Sequence, residues 1–250
     1  MNKYLASTLG AAIAACSLSA AAMTPDEVFD LANWKLTLPR DCSGGTAGTA
    51  CEVKQPALNT YESTWFRVPS TGGAILFRAD AQGARTSSAT KYARSELRQM
   101  NGSSNAAWSC TGKTTSMQMR FAIKHTPINK PEVTVGQIHD ASDDLLMIKY
   151  TGPSGANGST DTGKLEARFN DDTTTKLITS SYQLGTEVTF DIQVSGGKVN
   201  IIYNGRTVIS GQALRSGTCY WKAGMYIQAN TSTDSPTAYG EVSMRALTVK

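Results

Sequence analysis

The chain has 250 residues, with 40% hydrophobic, 18% charged, 22 glycines and a formal net charge of +4. This is the composition of a soluble globular protein leaning towards strands and turns, and its length suits one domain with a substantial core. Weak positive charge without any clustered Lys/Arg run excludes nucleic acid as a partner, yet suits a local basic surface for a polyanion.

Residues 1–22 have the form of a secretory leader. Lys3 supplies a short positive start, an Ala-rich apolar stretch follows, and Ala20-Ala21-Ala22 offers a small-residue cleavage site before Met23. Ile13-Ala14-Ala15-Cys16 also resembles a lipoprotein processing box, which would leave Cys16 lipidated and the protein membrane-anchored. Plain secretion, extracellular or periplasmic, is the preferred reading. Cleavage after Ala22 leaves a single domain, 23–250, with Cys42, Cys51, Cys110 and Cys219. An even count in an exported protein predicts two disulfides. Cys42 with Cys51 closes a short Gly-rich loop, so Cys110 with Cys219 follows. No metal site is expected, because no C-x-x-C occurs and there are only two histidines.

Thr24-Pro25-Asp26-Glu27 is a capping box with proline at the first helical position, predicting a short helix over 25–31. Residues 33–38 then lead into extended chain. Strands are predicted over 74–78, 115–124, 133–140, 144–150 and 164–170, with a Gly/Ser/Thr-rich loop over 151–163. Residues 187–210 read as a meander turning at Ser195-Gly196-Gly197 and Asn204-Gly205. Residues 220–228 and 241–249 complete an all-β sandwich or barrel. Asp143-Asp144 and Asp171-Asp172 read as turn residues, and His125 as a structural histidine ending its strand.

Three stretches concentrate polar chemistry on one strand face, since side chains alternate with period two. In the first, Arg94, Glu96 and Arg98 oppose Leu97. In the second, Gln137 and His139 oppose Ile138. In the third, Tyr220, Lys222, Tyr226 and Gln228 oppose Trp221, Ala223, Met225 and Ile227. Gly224, on the same face as the third set, leaves room for a close approach. Arg94 and Arg98 lie roughly 13 Å apart along an extended strand, a spacing that suits successive carboxylates of a polyuronate. Glu96 between them would orient their guanidinium groups. Alone, the first stretch also reads as a solvated strand face with a cross-strand ion pair, His139 as a structural or exposed histidine, and the third stretch as a half-exposed aromatic strand.

Taken together and in this order, Arg94-Ser95-Glu96-Leu97-Arg98, Gln137-Ile138-His139 and the run from Tyr220 to Gln228 resemble the three motifs of the alginate lyases of polysaccharide lyase family 7. Residues 29–39 resemble that family's N-terminal strand. The resemblance implies a jelly-roll β-sandwich of two antiparallel sheets whose concave face is the substrate groove. It also implies β-elimination on the acidic polysaccharide alginate, by a monomer needing no cofactor. Arg94 and Gln137 would neutralise the uronate carboxylate, helped by His139. Tyr226 would protonate the leaving oxygen, and Glu96, Arg98, Lys222, Gln228 and Tyr220 would bind and orient sugar. On mannuronate Tyr226 would act as base and acid in turn, which requires its pKa to fall. On guluronate His139 would be the base and Tyr226 the acid. Ile138 between Gln137 and His139 is associated in that family with guluronate-containing substrate. The alternatives are a non-catalytic polyuronate-binding module, or a lyase for another polyuronate such as glucuronan. A sandwich hydrolase is disfavoured, because no E-x-D-x-E strand is present.

Overall fold

The computed structural model describes residues 23–155 and 158–250, so the leader-type segment with Cys16 lies outside the described residues. In chain order the strands are β1 (Trp34–Thr37), β2 (Glu52–Val53), β3 (Phe66–Arg67), β4 (Ile75–Asp80), β5 (Arg94–Asn101), β6 (Ser104–Asn105), β7 (Trp108–Ser109), β8 (Thr115–His125) and β9 (Glu132–His139). They continue with β10 (Asp144–Thr151), β11 (Thr162–Phe169), β12 (Thr174–Gln183), β13 (Val188–Ser195), β14 (Lys198–Tyr203), β15 (Arg206–Ala213), β16 (Thr218–Ile227) and β17 (Tyr239–Val249). The first sheet runs β12-β11-β10-β9-β16-β5-β1-β2 and the second β15-β14-β13-β8-β17-β4-β3, with antiparallel pairing between neighbours. The two form a jelly-roll β-sandwich.

Binary patterning explains how the sheets close on each other. In β8, Met117, Met119, Phe121 and Ile123 are buried while Arg120 and Lys124 are exposed. In the first sheet, Leu36, Leu97, Ile138, Trp221, Ala223, Met225 and Ile227 belong to the same core. Each large apolar side chain withdrawn from water contributes about 1.5–3 kcal/mol. The meander of β13 to β15 turns where φ must be positive at two successive residues, at Gly196 and Gly197 (57° and 73°) and at Asn204 and Gly205 (47° and 77°).

The short strands β2, β3, β6 and β7 were not predicted, and the helix and one long strand also depart from expectation. The helix spans only Pro25–Val28, because Phe29 is already extended (φ −159°, ψ 156°) and turns into the core with Leu31. Its capping box is made as expected, with the Thr24 amide donating to Glu27 Oε2 at 2.6 Å. The edge strand β12 is absent from the sequence reading. Its residues are mostly exposed, Leu177 by 56%, so an edge strand rich in Thr and Ser carries no apolar alternation. His125 ends β8 stacked on Tyr239 at 3.9 Å. Both disulfides form as predicted, Cys42–Cys51 and Cys110–Cys219.

Candidate active site

Strand β16 lies between β5 and β9, so the three polar stretches are lateral neighbours. Arg94 pairs with Tyr226 and Arg98 with Lys222; on the other side, Lys222 pairs with Gln137 and Tyr220 with His139. On the opposite face Leu97 pairs with Ala223, and Ile138 with Trp221, all fully buried. The polar face forms the floor of a cavity of about 500 Å³. Arg94, Arg98, Gln137, His139, Tyr220, Lys222 and Tyr226 all line it. Glu96 and Gln228 do not. Gln228, just past β16, is 7% exposed, with its Nε2 unpartnered.

Gly224 does not hold space open for a ligand. A Cβ there would lie 2.6 Å from the Ser95 carbonyl oxygen and 2.9 Å from Glu96 Cα. What approaches is the backbone of β5, and the positive φ of 141° reinforces the need for glycine. A bulge between Ala223 and Tyr226 against β9 adjoins this position.

Glu96 is the hub beneath the floor. It is 1% exposed, and its carboxylate receives one donor from each of the three strands. Lys222 Nζ lies 2.5 Å and Arg94 Nη1 3.1 Å from Oε2, and Gln137 Nε2 donates to Oε1. Burial pushes the Glu96 carboxyl up, but Lys222 and Arg94 outweigh it and hold it below the ordinary range. Glu96 therefore orients Arg94 but not Arg98. Arg98 instead donates to the carbonyls of Gln99 (2.6 Å) and Ala106 (3.3 Å) and lies over the Tyr220 ring at 3.9 Å. Arg94 makes no second hydrogen bond among the described residues, and its guanidinium lies 3.9 Å over the Tyr226 ring.

His139 stacks on Tyr220 with ring centroids 5.3 Å apart, and its Nδ1 lies 2.6 Å from the Asp140 carbonyl oxygen. A carbonyl only accepts, so Nδ1 carries the proton and Nε2 keeps its lone pair in the neutral ring. Burial, then the cations Lys222 and Arg94, press the His139 pKa down to about 4. Burial likewise lowers Lys222 to about 8, with Arg94 adding to the effect and Glu96 opposing it. Tyr226 moves the other way from the fall that a basic tyrosine requires. Burial raises its pKa, and the nearby Arg94 only partly offsets this.

The cavity also has walls that sequence reasoning missed. Lys35 and Thr37 of β1 line it, with Lys35 paired to Glu52 at 2.6 Å. Alternation within Trp34-Lys35-Leu36-Thr37 carried that signal, since Trp34 and Leu36 face the core. Tyr92 stands edge-on to Tyr226 at 6.2 Å, and its hydroxyl accepts from Lys130 Nζ at 2.9 Å. Its place outside any strand left no periodic signal. At the other rim, Asp143 and Asp144 line the cavity, and their carboxylates come within 4.8 Å of each other and of Asp171. Burial, then the charge of Asp143, lifts Asp144 to about 6.

Comparison with known proteins shows the family. The alginate lyase family model matches residues 29–250. The structure is similar to the alginate lyase AlgAT5 of polysaccharide lyase family 7, at 38% identity and TM-score 0.79, covering 91% of this chain and 98% of that one. It is equally similar to the alginate lyase from Corynebacterium sp., at 38% identity and TM-score 0.79, covering 91% and 97%. An alginate lyase of Klebsiella pneumoniae is 29% identical over 158 residues, 52% of this chain, and the match spans about half of that relative's length (51%). The chain therefore belongs to the alginate lyase family, the lyases of polysaccharide lyase family 7.

Proposed function

We propose that this protein cleaves alginate by β-elimination, with His139 as base and Tyr226 as acid, and that it favours guluronate or mixed guluronate/mannuronate blocks. The observation that carries this reading is the gathering of Arg94, Gln137, His139 and Tyr226 around one cavity, over a buried carboxylate that holds two of them in place. The C5 proton is barely acidic while the adjacent carboxylate is charged. Arg94, with donors left free, and the second amide hydrogen of Gln137 neutralise that carboxylate as negative charge builds on it. His139 Nε2 takes the C5 proton. The freed electron pair forms the C4–C5 double bond as the C4–O4 bond breaks, and O4 leaves with the phenolic proton of Tyr226. The products are a new reducing end and a 4,5-unsaturated uronate.

The protonation states favour the division of labour. A histidine whose pKa is pressed down to about 4 is neutral, and so a competent base, near neutral pH. A tyrosine whose pKa is raised keeps its proton until O4 needs it, and is poorly suited to be the base as well. In guluronate H5 and O4 lie on opposite faces, which is where two separate residues are required. Lys222, Arg98 and Tyr220, which line the cavity, are assigned to binding; Glu96 is assigned to orienting Arg94, Gln137 and Lys222. Export is part of the same reading, supported by the leader-type segment and by two disulfides, which persist in oxidising compartments.

The direct test is Tyr226→Phe. Turnover should fall by about 100-fold or more, the scale of a lost general acid, while affinity for alginate stays within about threefold. Undiminished turnover would remove Tyr226 from the mechanism.

A further inference from the structure

Lys91 borders two cavities. One is the catalytic groove; the other, about 310 Å³, is walled by three turns. Thr46 comes from the loop closed by the Cys42–Cys51 disulfide, Gln82 and Arg85 from the segment after β4, and Asn230 and Ser232 from the turn after β16. Its volume lies within the range of about 300–1,000 Å³ typical of ligand pockets. These walls are tied together. The Ala50 amide donates to the Arg85 carbonyl at 2.9 Å, and Asn230 Nδ2 donates to the Lys91 carbonyl at 3.4 Å.

The charge in this second cavity is one-sided. Among the described residues Arg85 and Lys91 line it, and no carboxylate does. Among the described residues neither cation has an ion pair, and the Arg85 guanidinium makes one hydrogen bond, to the Thr90 carbonyl at 3.2 Å. Nearby carboxylates are engaged elsewhere. Asp80 is held by both terminal nitrogens of Arg40, at 2.9 and 2.5 Å, and Asp41 accepts from Ser43, Gly45 and Gly48 of its own loop. Two unpaired cations facing hydroxyl and amide groups match a sugar bearing a carboxylate.

We propose that this annex is an accessory subsite that receives a uronate residue of a polymer chain after it leaves the catalytic groove past Lys91. The inference rests on the alginate-cleaving reading above. It predicts that long chains are held more tightly than short ones, and that the difference shrinks as salt screens exposed charges.

Arg85→Gln and Gln82→Glu test it, since neither residue lines the catalytic groove and Gln82→Glu changes charge at constant size. Each is compared with wild type by retardation in alginate-containing gels and by KM on polymer and on a purified uronate trisaccharide. For each variant, polymer affinity should drop and polymer KM rise by about threefold, the scale of one exposed ion pair, with kcat and all trisaccharide constants unchanged. Added salt should erase the difference. Unchanged gel retardation in both variants, or equal KM increases on polymer and trisaccharide, would overturn the annex. If Arg85→Gln fails to fold, Gln82→Glu decides alone. A wild-type protein that is retarded by alginate but makes no unsaturated product would sink the catalytic reading, and the retardation of the variants would still judge the annex.

Discussion

A neutral histidine in a basic groove depends on burial first and on neighbouring charge second. The His139 pKa is pressed from 6.5 to about 4, first by burial and then by Lys222. The unfolded chain therefore takes up a proton here before the folded chain does. Stability from this site is fully present above pH 6.5 and is lost as pH falls through 6.5 towards 4. With His139 as the proposed base, the same depression would set the active fraction. The acid limb of kcat/KM should lie nearer 4 than 6.5, and Lys222→Met should move it to higher pH. A pH–rate profile of both proteins checks this, and an unmoved limb would count against electrostatic control by Lys222. At this scale most of the floor was legible in the sequence, because period-two alternation assigns faces without knowledge of neighbours. Tyr92 and Asp144 were not. Tyr92 lies outside any strand, and Asp144 reads as a turn residue until Asp171 folds back beside it.

Three strands meet at Glu96, and that meeting is a property of pairing order rather than of any one strand. R-x-E-x-R suggested a carboxylate serving two arginines. Instead the register brings Lys222 and Gln137 to it, and Arg98 turns to backbone carbonyls and to Tyr220. Removing Glu96 would leave Arg94 and Lys222 buried side by side without a counter-charge. Glu96→Ala should thus cost about 3–5 kcal/mol, and Glu96→Gln less because it keeps hydrogen-bonding capacity. Denaturant midpoints measure both, and a loss below about 1 kcal/mol for Glu96→Ala would contradict the role of the hub. The strands with apolar stripes were legible along the chain. The polar edge strand β12 was not, nor was the use of Gly224, whose space is taken by the β5 backbone.

For the whole molecule, a common core holds the two sheets together and a long-range crosslink pins one end of β16. Cys110–Cys219 spans 109 residues and anchors the start of β16, whereas Cys42–Cys51 spans 9. Loop-closure entropy then predicts that Cys110→Ser/Cys219→Ser costs about 2–5 kcal/mol and more than the matching change at Cys42 and Cys51. Thermal unfolding of the two double variants measures the order, and equal losses would contradict it. The sandwich architecture was legible from many short strands and their turns. The placement of β16 between β5 and β9 was not legible, since alternation gives faces but not neighbours. That placement brings the three polar stretches into one groove.

The most direct test of the central claim follows the ultraviolet absorbance of the unsaturated product from purified guluronate, mannuronate and mixed blocks, using wild type and His139→Ala. Absorbance should rise in step with new chain ends and fastest on guluronate or mixed blocks, and the variant should lose more on guluronate than on mannuronate. New chain ends without absorbance would contradict elimination, and equal losses on both blocks would contradict the division of work between His139 and Tyr226.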